Sequence, residues 1–360
     1  LRTAEADFLG RTLFKDELIH EMVSTHMDVD YMASEPAIVF LNGEYWGIHH
    51  MRERQDRYYL QSNYGVHPDS VHILEFYRDT EVVKEGSYDE FSDLMDYVRE
   101  NDLREQTHYQ YVTEQLDLPA FMDYHIAMLY LGNYDWPFNN QRFWKPMESG
   151  TKWRWLFYDC DFCMYRIRTD RLDDFVLDMG GIKEENLLLA KLLQNDEFRD
   201  LFLTSFYHHM NTTFEPNRMI QLIDAYEAKF LPNVAEHVHR WNNPPSVDAW
   251  LSNVDELRTF AVLRPQYMQE ELEKMFGSPL KLFPNPASDF LRLALTNPSS
   301  DPVMVEIFDM SGRMRFSREF ADAEALNHTQ LSIDHLLSGI YFVKVLAGGF
   351  YYTQKLVVSR

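Results

Sequence analysis

A chain of 360 residues has room for two domains, and a hydrophobic content of 45% with 15% aromatics supplies enough apolar surface for a large core. The formal charge of −23 falls wholly on residues 1–276, since residues 277–360 carry 8 Lys+Arg against 8 Asp+Glu. An acidic surface of that size repels nucleic acid and anionic lipid, and suits solubility or a basic protein partner. Two cysteines, Cys160 and Cys163, exclude a disulfide scaffold, and no apolar run approaches the ~20 residues of a membrane-spanning helix.

The sequence starts at Leu1 without an initiator Met or a signal-peptide pattern, so either a leader was removed or the chain is part of a longer one. Phe14–Met27 spaces its apolar side chains as a helix does. Ala37–Leu41 and Glu44–Met51 read as strands joined by Asn42-Gly43, the strongest short hairpin signal. Gly47, in the middle of the second strand, marks a bulge or a close backbone approach. Val71–Tyr77 is another strand. Ser87 caps a helix over Tyr88–Glu100, and Asp117 with Pro119 starts one running through Leu131. Trp153–Asp159 reads as a strand that carries Phe157, Asp159 and Asp161 on one side if extended. Leu187–Leu193, Glu197–Met210, Arg218–His239 and Val254–Phe276 read as helices, so residues 1–276 form an α+β domain.

At Gly277-Ser278-Pro279 the texture changes. Short strand-like runs follow, from Lys281–Phe283 to Tyr351–Val358, separated by turn signals at Asn285-Pro286, Asn297-Pro298, Ser311-Gly312, Ser338-Gly339 and Gly348-Gly349. That spacing predicts a separate antiparallel β-sandwich of about seven strands over residues 277–360.

The chemistry-bearing stretch is Asn133–Met164. Asp135 and Asn140 form a D-x4-N spacing, and Asp159-Cys160-Asp161-Phe162 follows. Asp and Asn oxygens are the hard ligands that Mg²⁺ takes, usually one or two carboxylates completed by phosphate oxygens. An Asp, an Asn five positions on and a later Asp-Phe is also the layout of protein-kinase catalytic and metal loops. Asp159 and Asp161 flank a cysteine on an otherwise apolar run, where a buried acid pair needs cations. The competing readings are plainer: Asp135 as a loop cap, Asn139 and Asn140 as turn formers, Glu53 as a surface acid. Arg142 can answer phosphate or pair with Asp161. The cysteines read as buried thiols and the His pairs as structural.

Two resemblances sharpen this reading. Pro284-Asn285-Pro286, the run from Asp309 to Arg313 and the strand Gly339–Val343 occur in the order seen in the C-terminal sorting domain of the type IX secretion system. That resemblance implies export through the periplasm and outer membrane of a Bacteroidota-type bacterium, to the surface or beyond, with the secretion machinery as a partner. The segments NGEYWGIHHMRER (Asn42–Arg54), NYDWPFNNQRFW (Asn133–Trp144) and WRWLFYDCDF (Trp153–Phe162) resemble the spore coat protein H (CotH) family of atypical kinases.

The second resemblance implies a divergent kinase-like fold, with a small β-lobe and an α-rich lobe, that binds ATP and Mg²⁺ or Mn²⁺. Asp135 would be the catalytic Asp, with Asn140, Asp159 and Asp161 holding the metal. The hairpin would lie over the nucleotide phosphates, Gly47 letting the backbone approach, with Arg52, Glu53 and Arg142 completing the cofactor set. Two departures stand out. No Lys lies between Lys15 and Lys84, so Arg52 or Arg54 would replace the usual phosphate-binding lysine, and Cys163-Met164 stands where the family has Gly. The expected function is a secreted protein Ser/Thr kinase. The alternatives are a catalytically silent surface-binding protein and a metal-dependent hydrolase using the same acids.

Overall fold

The computed structural model describes residues 1–3, 12–78, 80–173, 184–296 and 301–360. The described chain is mixed α and β with antiparallel sheets, and it divides into two compact units: residues 1–199 with 212–268, and residues 200–211 with 269–360.

In the first unit the order is β1 (Arg2–Thr3), α1 (Lys15–Ser24), β2 (Ser34–Leu41), β3 (Glu44–Arg52), α2 (Arg57–Tyr64), β4 (Val71–Tyr77), β5 (Thr80–Glu85), α3 (Asp89–Glu100), α4 (Gln106–Glu114), α5 (Leu118–Leu131), β6 (Gln141–Pro146) and β7 (Arg154–Leu156). Then come α6 (Glu184–Leu192), α7 (Asp196–Asn211), α8 (Pro216–Trp241) and α9 (Val247–Phe276), the ends of α7 and α9 belonging to the second unit. Two antiparallel sheets result, ordered β1-β3-β2 and β5-β4-β6-β7.

The hairpin expected at Asn42-Gly43 forms, with both residues at positive φ (52° and 85°) as a tight two-residue turn requires. Gly47 sits at a register shift, Val39 pairing with Gly47 and Phe40 with Tyr45. Its φ is +119°, and a Cβ there would lie 2.8 Å from Trp241 Nε1 and 3.1 Å from His237 Nδ1 of α8. Packing of α8 on β3 therefore accounts for this glycine. Trp241 Nε1 donates to Trp46 O (2.8 Å), and Ile48 N donates to His237 Nδ1 (3.1 Å), which tie the helix to the bulge.

α5 is apolar nearly all round and is buried accordingly, as the interior helix of a domain must be. It ends at Gly132 in the left-handed region. Its last carbonyls are taken by a fully buried Arg264 of α9: Nε to Tyr130 O (2.7 Å), Nη2 to Leu129 O (2.9 Å), with Nη1 on Ile167 O. Aromatic rings from α3, α5, β6 and β7 fill the space beside it, with Phe91–Phe143 centroids 4.3 Å apart and Phe121–Trp155 4.8 Å apart.

The strand read over Trp153–Asp159 is shorter than expected. It stops at Leu156; Gln55 Nε2 then takes the carbonyl of Phe157 (3.1 Å), and Asp159 adopts a left-handed φ of 57°. Asp159 and Asp161 thus meet through a turn, Cys163 N donating to Cys160 O (3.0 Å), and do not alternate along one strand.

The second unit holds β8 (Leu280–Phe283), β9 (Phe290–Leu295), β10 (Val303–Asp309), β11 (Met314–Phe320), a short α10 (Ala323–Asn327), β12 (Gln330–Ser332), β13 (Gly339–Ala347) and β14 (Phe350–Val358). They form one sheet ordered β11-β10-β13-β14 and one ordered β12-β9-β8. Alternate residues are buried, Val303, Val305 and Ile307 on β10 and Val343, Val345 and Ala347 on β13, giving each strand one apolar face. The turn expected at Asn297-Pro298 lies outside the described residues.

Candidate active site

The two loops of Asn133–Met164 are fastened together by backbone and by one buried side chain. Tyr134 N donates to Phe162 O (3.2 Å) and Met164 N to Leu131 O (2.8 Å). Asn133, fully buried, donates from Nδ2 to Asp159 O (3.3 Å) and accepts from Asp135 N at Oδ1 (3.1 Å). Arg171 holds the same loop from the other side, Nε to Asn133 O (3.0 Å) and Nη2 to Tyr134 O (2.7 Å), its guanidinium 4.7 Å over the Tyr134 ring. Asp135 is half-buried as a result. Burial and the neighbouring Asp159 charge push its carboxyl above the usual range, with Arg171 and Asn139 opposing.

Asp159 and Asp161 converge on one guanidinium. Arg2 Nη2 lies 3.0 Å from Asp159 Oδ1 and 2.8 Å from Asp161 Oδ2, while Nη1 lies 3.3 Å from Asp16 Oδ2. Asp161 is almost wholly buried, and its Oδ1 has no hydrogen-bond donor. Burial raises its carboxyl to about 9, the Asp16 charge adding to the rise and Arg2 opposing it.

Beneath this pair lies a second, buried layer. Asp16 Oδ1 accepts from Cys160 N (2.7 Å), anchoring α1 to the turn that carries Asp159 and Asp161. Arg52 Nη1 lies 2.5 Å from Asp16 and 3.4 Å from Glu17, whose Oε1 also faces His50 Nδ1 at 3.4 Å. His50 Nε2 donates to Leu13 O (2.9 Å), and burial keeps the ring neutral by lowering it to about 4. A neutral ring donating from Nε2 leaves a lone pair at Nδ1, which faces Glu17 Oε1 without a hydrogen bond.

The other expected residues lie elsewhere. Asn140 is buried at φ 63°, and its carbonyl accepts from Tyr124 OH (3.2 Å). Among the described residues no contact joins its side chain to the carboxylates, and Asn139 is the amide that reaches Asp135. Glu53 Oε2 accepts from Ala33 N (2.9 Å), a bond that fastens the segment entering β2. Arg142 joins a separate cluster. It lies 3.3 Å from Glu75 and 4.4 Å over the Tyr158 ring; Lys84 Nζ lies 2.7 Å from Glu75, and Tyr158 OH donates to the same acid (2.7 Å). Arg142 and Lys84, with Arg54, Gln55, Asp56, Ile73 and Glu85, line a cavity of about 250 Å³.

Sequence reasoning thus missed Arg2, Asp16, Glu17, Asn133, Arg171 and Lys84. The one available signal was Asn133, directly behind a helix-ending glycine and two residues before Asp135.

Among the described residues no three His, Cys, Asp or Glu side chains close a metal shell. What is present fits an open Mg²⁺ site. Two adjacent carboxylates, one with a buried oxygen lacking a donor, already hold a guanidinium between them, and phosphate oxygens supply the remaining ligands at such sites.

An acid-lined site between two fastened loops, in a mixed α+β unit followed by a β-rich one, defines the class. Residues 4–268 match the family model described as CotH kinase protein, and residues 281–359 match the one described as Secretion system C-terminal sorting domain. The chain belongs to the CotH kinase protein family and carries a type IX sorting domain, which directs export to the cell surface or release from the cell. No helix among the described residues is long and apolar enough to cross a membrane. A comparison with curated proteins gave no match.

Proposed function

We propose that the first unit is a kinase-like domain that transfers the γ-phosphate of ATP to Ser or Thr of a protein, with Mg²⁺ or Mn²⁺, and that the second is a β-sandwich read by the secretion machinery. The observation that carries this reading is the pairing of Asp135 with Asp159 through the buried Asn133 amide. The hairpin of β6 and β7 joins the two loops in the order that kinase catalytic and metal loops follow.

Bound Mg²⁺·ATP would supply the transferable phosphoryl group and neutralise its charge. Asp159 and Asp161 would hold the cation, and Asp135 would orient a substrate hydroxyl and accept its proton. Its raised carboxyl makes it a stronger base than a free Asp. Asn133 and Arg171 act by fixing where Asp135 stands.

The test is transfer of labelled phosphate from ATP, with Mg²⁺ or Mn²⁺, onto a broad protein panel. Asp135→Asn and Asp161→Asn should each lower transfer by roughly 10²- to 10⁴-fold. Unchanged labelling in both variants removes these residues from the mechanism. Absence of labelling by the wild type favours the silent, partner-binding reading.

A further inference from the structure

A site that handles phosphate needs a basic ligand beside its carboxylates, and among the described residues neither hairpin arginine forms an ion pair with Asp159 or Asp161. Arg52 has its side chain 5% exposed and is held by Asp16 and Glu17. Arg54 is 90% exposed and turns to Asp56 at 3.7 Å. Arg142 is committed to Glu75, outside the cluster of site carboxylates.

Arg2 is placed differently. It touches Asp159, Asp161 and Asp16, yet one third of its side chain remains exposed. Its backbone is fixed by strand pairing, with Arg2 opposite His50 and Thr3 opposite His49, so the guanidinium can swing without leaving the site. A guanidinium is a planar, permanently charged fork whose paired donors fit carboxylate and phosphate oxygens equally well. A divalent cation at Asp159 and Asp161 would repel it from the position it now occupies, and the phosphates accompanying that cation would offer it new acceptors.

We propose that Arg2 is the phosphate-binding basic residue of this site, resting on Asp159 and Asp161 as an internal counter-ion and passing to nucleotide phosphate oxygens when a cation takes those carboxylates. This rests on the phosphotransfer reading above. It makes two effects of opposite sign inseparable: Arg2 opposes binding of a bare cation and favours binding of a cation–nucleotide pair.

The experiment measures the affinity of the full chain for Mn²⁺ alone, and for a non-hydrolysable ATP analogue with Mg²⁺, in wild type, Arg2→Ala and Arg2→Lys. Arg2→Ala should bind Mn²⁺ about tenfold more tightly and the analogue about tenfold or more weakly, the loss of one charge-assisted hydrogen bond. Arg2→Lys, which keeps the charge but not the fork, should fall between, and it carries the test if the Ala variant does not fold. Mn²⁺ affinity that is unchanged or weaker in the variants overturns the proposal. So does unchanged analogue affinity when the wild type binds the analogue, and the phosphotransfer reading then survives. A wild type that binds no analogue sinks both.

Discussion

Asp16 and Glu17 are neighbours on α1, both buried, yet they titrate in opposite directions. Burial raises each, but Asp16 is brought down by His20, Arg52 and Arg2 and by the Cys160 amide, whereas Glu17 is raised to about 7 by burial and by the Asp16 charge beside it. Folded Glu17 therefore keeps a proton that the unfolded chain has released between its ordinary 4.5 and about 7, so stability is lost as pH rises through that window. Glu17→Gln should leave stability little changed near pH 4.5 and raise it by about 1–3 kcal/mol at pH 8. Thermal melts at the two pH values read the difference; an equal offset at both would show that the acid is ionised in the fold. The acids that sequence spacing singled out, Asp135, Asp159 and Asp161, do come together. Their partners were illegible, because Arg2 meets Asp159 across 157 residues and Asp16 meets Cys160 across 144. No local pattern encodes such a meeting, and Arg2 sits on a two-residue strand without periodicity of its own.

Elements with a plain local signature were legible. The Asn42-Gly43 hairpin, β4 and the proline start of α5 appear where residue chemistry puts them, although the Asp117 side chain pairs with Arg154 and does not cap the helix. The missed elements were β1, α2, β5, α4, β6 and the short α10. The segment of β6 carries Phe143 and Trp144 between Arg142 and Lys145, so neither alternation nor an apolar run marks it, and only pairing with β4 and β7 makes it a strand. α2 had its signals, Asp56 accepting from Tyr58 N and Tyr59 N and Gly65 closing it at φ 69°, but it is short and polar on most of its surface. Gly47 was recognised as special, and the structure supplies the reason: α8 lies against it. Gly47→Ala should destabilise the fold by about 2 kcal/mol or more, through its positive φ and the contact with Trp241. Nucleotide affinity measured below the melting transition should stay unchanged; a selective loss of affinity at unaltered stability would assign the glycine to the ligand.

At the scale of the whole chain, two of the three sorting-domain signatures have structural work to do. Asp309 receives Ser311 N (2.9 Å) and Arg313 N (3.1 Å) at Oδ1 and Arg315 Nε (2.7 Å) at Oδ2, which builds the β10–β11 turn. Asn285 donates to Lys355 O (2.7 Å) and accepts from Val357 N (2.9 Å), pairing with β14 as an added strand residue would. Deleting Lys344–Arg360 removes β14 and the end of β13, and should abolish export in a secretion assay; normal export of that truncation would show that the sorting signal lies elsewhere.

The link from Arg264 to the end of α5 spans 134 and 135 residues, and the Arg2–Asp161 pair spans 159. Contacts that distant close late in folding, after the local helices and hairpins have formed. The acid cluster is therefore absent from a nascent or partly folded chain. Any stage of export that holds the polypeptide unfolded also keeps these carboxylates and their arginine apart, and the long sequence separation delays their assembly until the first unit is complete.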